Sequence, residues 1–133
     1  MADQQINFTG NSMMPLLRDG DRLTYSAVPF ADLRKHDIVL FEVPRAKQKA
    51  VHRITHIDYE KKHVKTKGDG SLIPDPFHLD SKDILGKVQS YTRANKTVRL
   101  TPSLLYFSYL YSKWMHPYRK LKNIIKTQTI FRE

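Results

Sequence analysis

The chain has 133 residues, 40% of them hydrophobic, which is enough for one domain with a core of useful size and little besides. It contains no cysteine, so structural disulfides, thiolate zinc sites and a cysteine nucleophile are excluded and the redox compartment stays open. The formal net charge of +10 is unevenly placed: residues 1–92 hold 14 Lys/Arg against 12 Asp/Glu, a net of +2, and residues 93–133 hold 9 against 1, a net of +8.

The opening residues, "MADQQINFTG", have neither the basic start nor the apolar core of a secretory signal. No window approaches the ~20 apolar residues of a transmembrane helix. The expectation is a cytoplasmic protein, or one peripheral to a membrane.

From residue 21 onward the pattern is one of short strands and turns. "DRLTYS" (21–26) alternates, "DIVLFEV" (37–43) has the continuous apolar character of a strand buried on both faces, and "KAVHRITHID" (49–58) alternates with a slip in register around Val51, Ile54 and Ile57. "HVKTK" (63–67) and "ILGKVQSYT" (84–92) complete the set, and the intervening segments carry the Pro, Gly and Asp that turns require. The expected fold is mainly β over residues 1–92, followed by a basic, aromatic, helical tail over 93–133.

In that tail, Thr101 and Pro102 suit a helix cap and first helical position. Leu104, Phe107, Tyr111 and Trp114 then recur at helical spacing until Pro117, and "YRKLKNIIKTQ" sets Leu121, Ile124 and Ile125 against Arg119, Lys120, Lys122 and Lys126. This basic amphipathic pattern has two readings: a helix laid on its own β domain, covering apolar surface with Leu104, Phe107 and Trp114, or an anionic membrane surface bound through residues 102–126. RNA binding ranks third, since no stacking motif accompanies the aromatics. There is no helix-turn-helix region, so DNA is not an expected partner.

The segment "GNSMMPLLRDGDRL" (10–23) is too apolar for an exposed loop and too broken by Gly, Pro and Asp for a helix. It presents one hydroxyl, Ser12. Serine is a poor nucleophile until a base takes its proton, so the candidate partners are His52, His56 and nearby lysines. Gly10 permits close backbone approach, and Met13 and Pro15 fix the turn. His52 and His56 lie four apart, which suits a metal pair on a helix but not in a strand, and no metal or other cofactor is expected. "GDGS" at 68–71 lacks the Lys-Ser/Thr ending and the strand-to-helix setting of a phosphate loop. His36, His63, His78 and His116 read as surface residues.

Taken together, "GNSMMP" with "DGD", then "HDIVLFEVP", "AVHRI", "TKGDGSLIPD" and "ILGKV", resemble the type I signal peptidase family and its LexA-type and UmuD-type relatives, over roughly residues 8–92. The resemblance implies the β fold of that family. It also implies Ser12 as nucleophile, His52 as general base in the position of the histidine branch, and Asp75, counted from Gly68-Asp69, as the carboxylate that orients the imidazole. Asp69 is the competing carboxylate, read here as holding its own turn by side-chain to backbone bonds.

Gly10 stands where signal peptidases commonly carry an oxyanion serine, which leaves the oxyanion to backbone N–H groups around Gly10, Asn11 and Met13, notably that of Ser12. The N-terminal anchor of secretory enzymes has no counterpart here. Only 11 residues precede Ser12 and none forms an Ala-Gly or Cys-Gly bond, so cleavage in trans of a peptide or protein is expected rather than self-cleavage. The alternative is a non-catalytic peptide-binding or regulatory module on a peptidase fold.

Overall fold

Each of the five expected segments forms a strand in the computed structural model, which describes residues 3–115. In chain order the strands are β1 (Gln4–Asn7), β2 (Arg22–Ser26), β3 (Ile38–Val43), β4 (Gln48–Asp58), β5 (His63–Lys67), β6 (Leu79–Asp80), β7 (Ile84–Arg93) and β8 (Lys96–Arg99). They form one antiparallel sheet in the order β1-β2-β7-β3-β4-β5-β6, with β8 paired to β7. A helix, α1, occupies residues 102–115.

Strand β3 explains its own composition. Ile38 and Leu40 enter one apolar cluster with Met13, Leu17, Leu23 and Val88, while Val39 and Phe41 enter a second with Leu33, Ile54, Val64 and Leu79. A strand buried on both faces has no polar phase, and hence no alternation. The register slip expected in β4 is a bulge against β5 between Ile54 and His56.

Strands β1, β6 and β8 lie outside the expected set. β8 also carries the sheet past residue 92: Ala94 and Asn95, both at positive φ, make the two-residue turn that folds Lys96–Arg99 back onto β7. The basic division at 92/93 is therefore not a structural boundary.

The start of α1 follows the sequence. Thr101 Oγ1 accepts the Leu104 N–H at 3.2 Å, capping the first turn. Its packing face does not. Leu105 and Ser112 are buried and Leu104 packs on the first cluster, whereas Phe107, Tyr111 and Trp114 face outward. Small Ser108 and Ser112 replace the expected apolar stripe on the packed side because that side meets Arg53. Its guanidinium donates to Leu105 O at 2.6 Å and to Ser108 Oγ at 3.0 Å. The second basic stretch, 118–128, lies outside the described residues, as does His116.

His36 corrects the surface reading given to it. It sits at φ 80 beneath α1, its ring 4.4 Å from that of Tyr109 and 5.7 Å from that of Tyr106, with Nδ1 buried and without a hydrogen bond among the described residues. Burial pushes its pKa down, and Arg53 and Lys35 add to the shift against Asp37 and Asp69. The folded state therefore holds neutral His36 while the unfolded chain takes up a proton near pH 6.5, so stability falls as the pH drops below that value. His36→Asn, which tolerates positive φ, is expected to make the acid-side fall in the urea midpoint shallower than in wild type. An unchanged slope would remove His36 from the acid response.

Candidate active site

The Ser12 segment is pinned at both ends by its own polar residues. Phe8 and Asp21 pair through the Phe8 N–H to Asp21 O bond at 2.8 Å, Gly20 N–H returns to Phe8 O at 2.8 Å, and Gly10 N–H donates to Asp19 Oδ1 at 2.8 Å. Gly10 takes φ +93, a backbone state that disfavours any side chain. Arg93 closes the far end, with its fork on Asp21 at 2.8 and 2.6 Å and a further bond to Leu16 O. Burial alone would raise the Asp21 carboxyl, but the Arg93 fork and the Arg18 N–H outweigh it and hold the group below the usual carboxylate range. Met13 and Leu17 are wholly buried, which accounts for the apolar character of this loop. The Met14–Pro15 peptide is cis.

The "GDG" run supplies the other half of the seat. Gly70 N–H donates to Ser12 O at 2.8 Å. A Cβ at Gly68 would stand 2.6 Å from Ser12 O and 3.0 Å from His52 Nε2, and one at Gly70 would stand 2.5 Å from Asn11 O. These glycines are required because two backbones and an imidazole meet there.

Between them Asp69 turns inward and takes a bidentate pair from Arg53, Nε to Oδ1 at 2.8 Å and Nη2 to Oδ2 at 2.7 Å, with both side chains almost fully buried. Its N–H meets Met13 Sδ at 3.4 Å. The Asp69 side chain, expected to act on its own turn, thus also enters a buried ion pair, in which the fork of Arg53 joins this loop to β4 and to α1.

On the other side of β4, His52 Nδ1 lies 2.6 Å from Asp75 Oδ2. The same oxygen accepts the Thr66 hydroxyl at 2.7 Å, and Asp75 N–H bonds Thr66 O at 3.0 Å, so the carboxylate is fixed by strand β5. The Phe41 ring stands edge-on to the imidazole at 5.8 Å. In a neutral imidazole whose Nδ1–H is held by this carboxylate, Nε2 is the acceptor nitrogen.

Ser12 and His52 line one cavity of about 480 Å³, together with Ile6, Phe8, Leu40 and Val51. No hydrogen bond joins Ser12 Oγ to His52 among the described residues. The Ser12 N–H likewise has no partner there, whereas that of Gly10 is taken by Asp19. Asn11 is exposed, its carbonyl accepting Met14 N–H at 3.2 Å, and Met13 is a core residue. Of the four positions considered for the oxyanion, only Gly10 has its N–H engaged, and the N–H groups of Asn11, Ser12 and Met13 have no partner among the described residues.

His56 is exposed and lines a separate cleft with His63 and His78. No group of three or more His, Cys, Asp or Glu able to hold a metal occurs among the described residues. Thr66 and Arg53 were not singled out by the sequence reading. The signal was alternation: Thr66 shares the inward phase of Val64, and Arg53 shares that of Val51, which is an unusual place for a charge.

No protein-family model matches this chain, and no curated protein matches it in sequence.

Proposed function

We propose that this chain is a serine endopeptidase of the signal-peptidase and LexA/UmuD type that cuts an extended peptide in trans. The observation that carries the reading is the 2.6 Å His52 Nδ1–Asp75 Oδ2 contact beside a cavity shared by Ser12 and His52. In this reading Nε2 of His52 takes the Ser12 proton as Oγ attacks the peptide carbonyl. Asp75 keeps the imidazole in the required tautomer, and the Ser12 N–H supports the oxyanion. His52 then returns the proton to the leaving amine, and water repeats the sequence on the acyl-enzyme.

The substrate would lie as a strand. β4 pairs with β3 from Gln48 but with β5 only from Arg53, so its Gln48–His52 stretch has an open edge among the described residues, as has β1 on the side away from β2. Ile6, Asn7 and Gln48–His52 border the cavity, so main-chain hydrogen bonds from both edges would fix a peptide between them.

A binding module without catalysis is the second reading, favoured by the absent Ser12–His52 hydrogen bond; apo sites, however, often tighten only around substrate. Incubating wild type with a diverse library of unstructured peptides and reading the products by mass spectrometry separates the two. Cleavage at a consistent sequence is expected. Peptides retained intact would establish the binding module instead.

A further inference from the structure

The outward face of α1 is not covered by any other element among the described residues. Phe107, Leu110, Tyr111 and Trp114 follow one another at i, i+3, i+4 and i+7, and they are 65%, 41%, 49% and 74% exposed. Tyr106 adds to the same side. On the packed side of the helix, Leu72 lines a separate cleft with Tyr109, Ser112 and Lys113, and its neighbour Ile73 is 75% exposed. A contiguous aromatic and aliphatic patch like that of the outward face marks a surface made to be covered.

Charge decides what covers it. From α1 onward the sequence carries Lys113, Arg119, Lys120, Lys122, Lys126 and Arg132 against Glu133, while Arg93 is engaged with Asp21 and Lys96 and Arg99 belong to β8. A second copy would set this like charge against its own, and a neutral apolar groove would leave it unmatched. An anionic bilayer matches both features, with Trp and Tyr rings at the headgroup level and cations against the phosphates.

We propose that α1 is a docking element for an anionic lipid surface, lying in the interface with Phe107, Leu110, Tyr111 and Trp114 toward the acyl boundary. Among the described residues no helix is long and apolar enough to cross a membrane, so α1 lies on the surface rather than through it. The proposal uses none of Ser12, His52 or Asp75. It stands whether or not the chain cuts peptides.

Trp114 is the single tryptophan of the chain and sits in the proposed contact, so its emission reports docking directly. Full-length wild type, titrated with vesicles of phosphatidylcholine alone or mixed with phosphatidylglycerol, should float with the mixed vesicles and show a blue-shifted emission. Added salt should reverse both. The double variant Phe107→Ser, Leu110→Ser changes two exposed side chains and should keep the wild-type circular dichroism and melting. Its partitioning should weaken on the order of tenfold or more.

An emission maximum indifferent to anionic vesicles would overturn the proposal, as would equal affinity of the variant. Wild type that sediments as a dimer, and becomes monomeric in the variant, would assign the face to a second copy instead.

Discussion

Ser12→Ala and His52→Ala are each expected to lower peptide cleavage by on the order of 10⁴- to 10⁶-fold, with the double variant no worse than either single one. The two groups act as a unit: without Nε2 the Ser12 hydroxyl keeps its proton, and without Oγ the base has nothing to activate. Asp75→Asn is expected to cost less, about 10²- to 10⁴-fold, for a geometric reason. An amide that presents its NH₂ to Nδ1 moves the imidazole proton to Nε2, the nitrogen that must accept from Ser12. The Thr66 hydroxyl already donates to that position, which favours an oxygen facing it and leaves some of the correct tautomer. Ser12→Ala should leave the melting curve nearly unchanged, since Ser12 Oγ makes no hydrogen bond among the described residues, while His52→Ala and Asp75→Asn should keep a cooperative transition at a lower midpoint, since each removes or weakens a 2.6 Å contact between largely buried side chains. Initial rates on the best library peptide, with circular dichroism as the folding control, check all four variants. Undiminished cleavage by Ser12→Ala would end the serine-peptidase reading.

Arg53→Met is expected to be the most destabilising single change among the described residues, by about 3–5 kcal/mol. The methionine keeps part of the packing volume but removes both bonds to Asp69, those to Leu105 O and Ser108 Oγ, and the longer one to His36 O at 3.3 Å. Asp69 would be left buried without its guanidinium. Domains of this size have roughly 5–15 kcal/mol in total, so the variant should approach marginal stability. Arg53→Lys should not rescue it, because one ammonium cannot reproduce a planar fork on three segments. Urea midpoints for Arg53→Met, Asp69→Leu and the double variant form the cycle that isolates the pair, and the double variant should be more stable than the sum of the singles implies. A cost under about 1 kcal/mol for Arg53→Met would mean that the pair is dispensable to the fold.

The strands with an apolar phase were legible in the sequence, because alternation or a wholly apolar run leaves few other structures for 21–26, 37–43, 49–58, 63–67 and 84–92. β1 was not, since "QQIN" is exposed on nearly every residue and is a strand only because β2 offers it an edge. β8 was hidden behind a charge count: Lys96 and Arg99 look like tail, but a two-residue turn decides their place. The direction of the α1 stripe, toward the β domain or away from it, stayed open for the same kind of reason. Hydrophobic spacing identifies a helix face but not which way it turns, and here a buried arginine drew the serine face inward. The pairing of His52 with Asp75 followed from resemblance. Thr66 and Arg53, which hold the site in place, speak only through being polar at inward positions.

The clamp at Arg53 also bears on when the site comes into being during synthesis. Chains fold from the N-terminal side as they are made, and the Ser12 segment emerges before the residues that seat it. Its seat arrives much later: Gly70 must bond Ser12 O, Arg93 must reach Asp21 and Leu16, and Leu105 and Ser108 must receive the guanidinium that steadies Asp69. A nascent chain short of residue 108 thus holds the serine, and even the histidine and its aspartate, without the assembled scaffold. If the proposed peptidase reading holds, ribosome-bound or truncated intermediates of that length would be inert, and reactivity at Ser12 would arise only as α1 closes over the sheet.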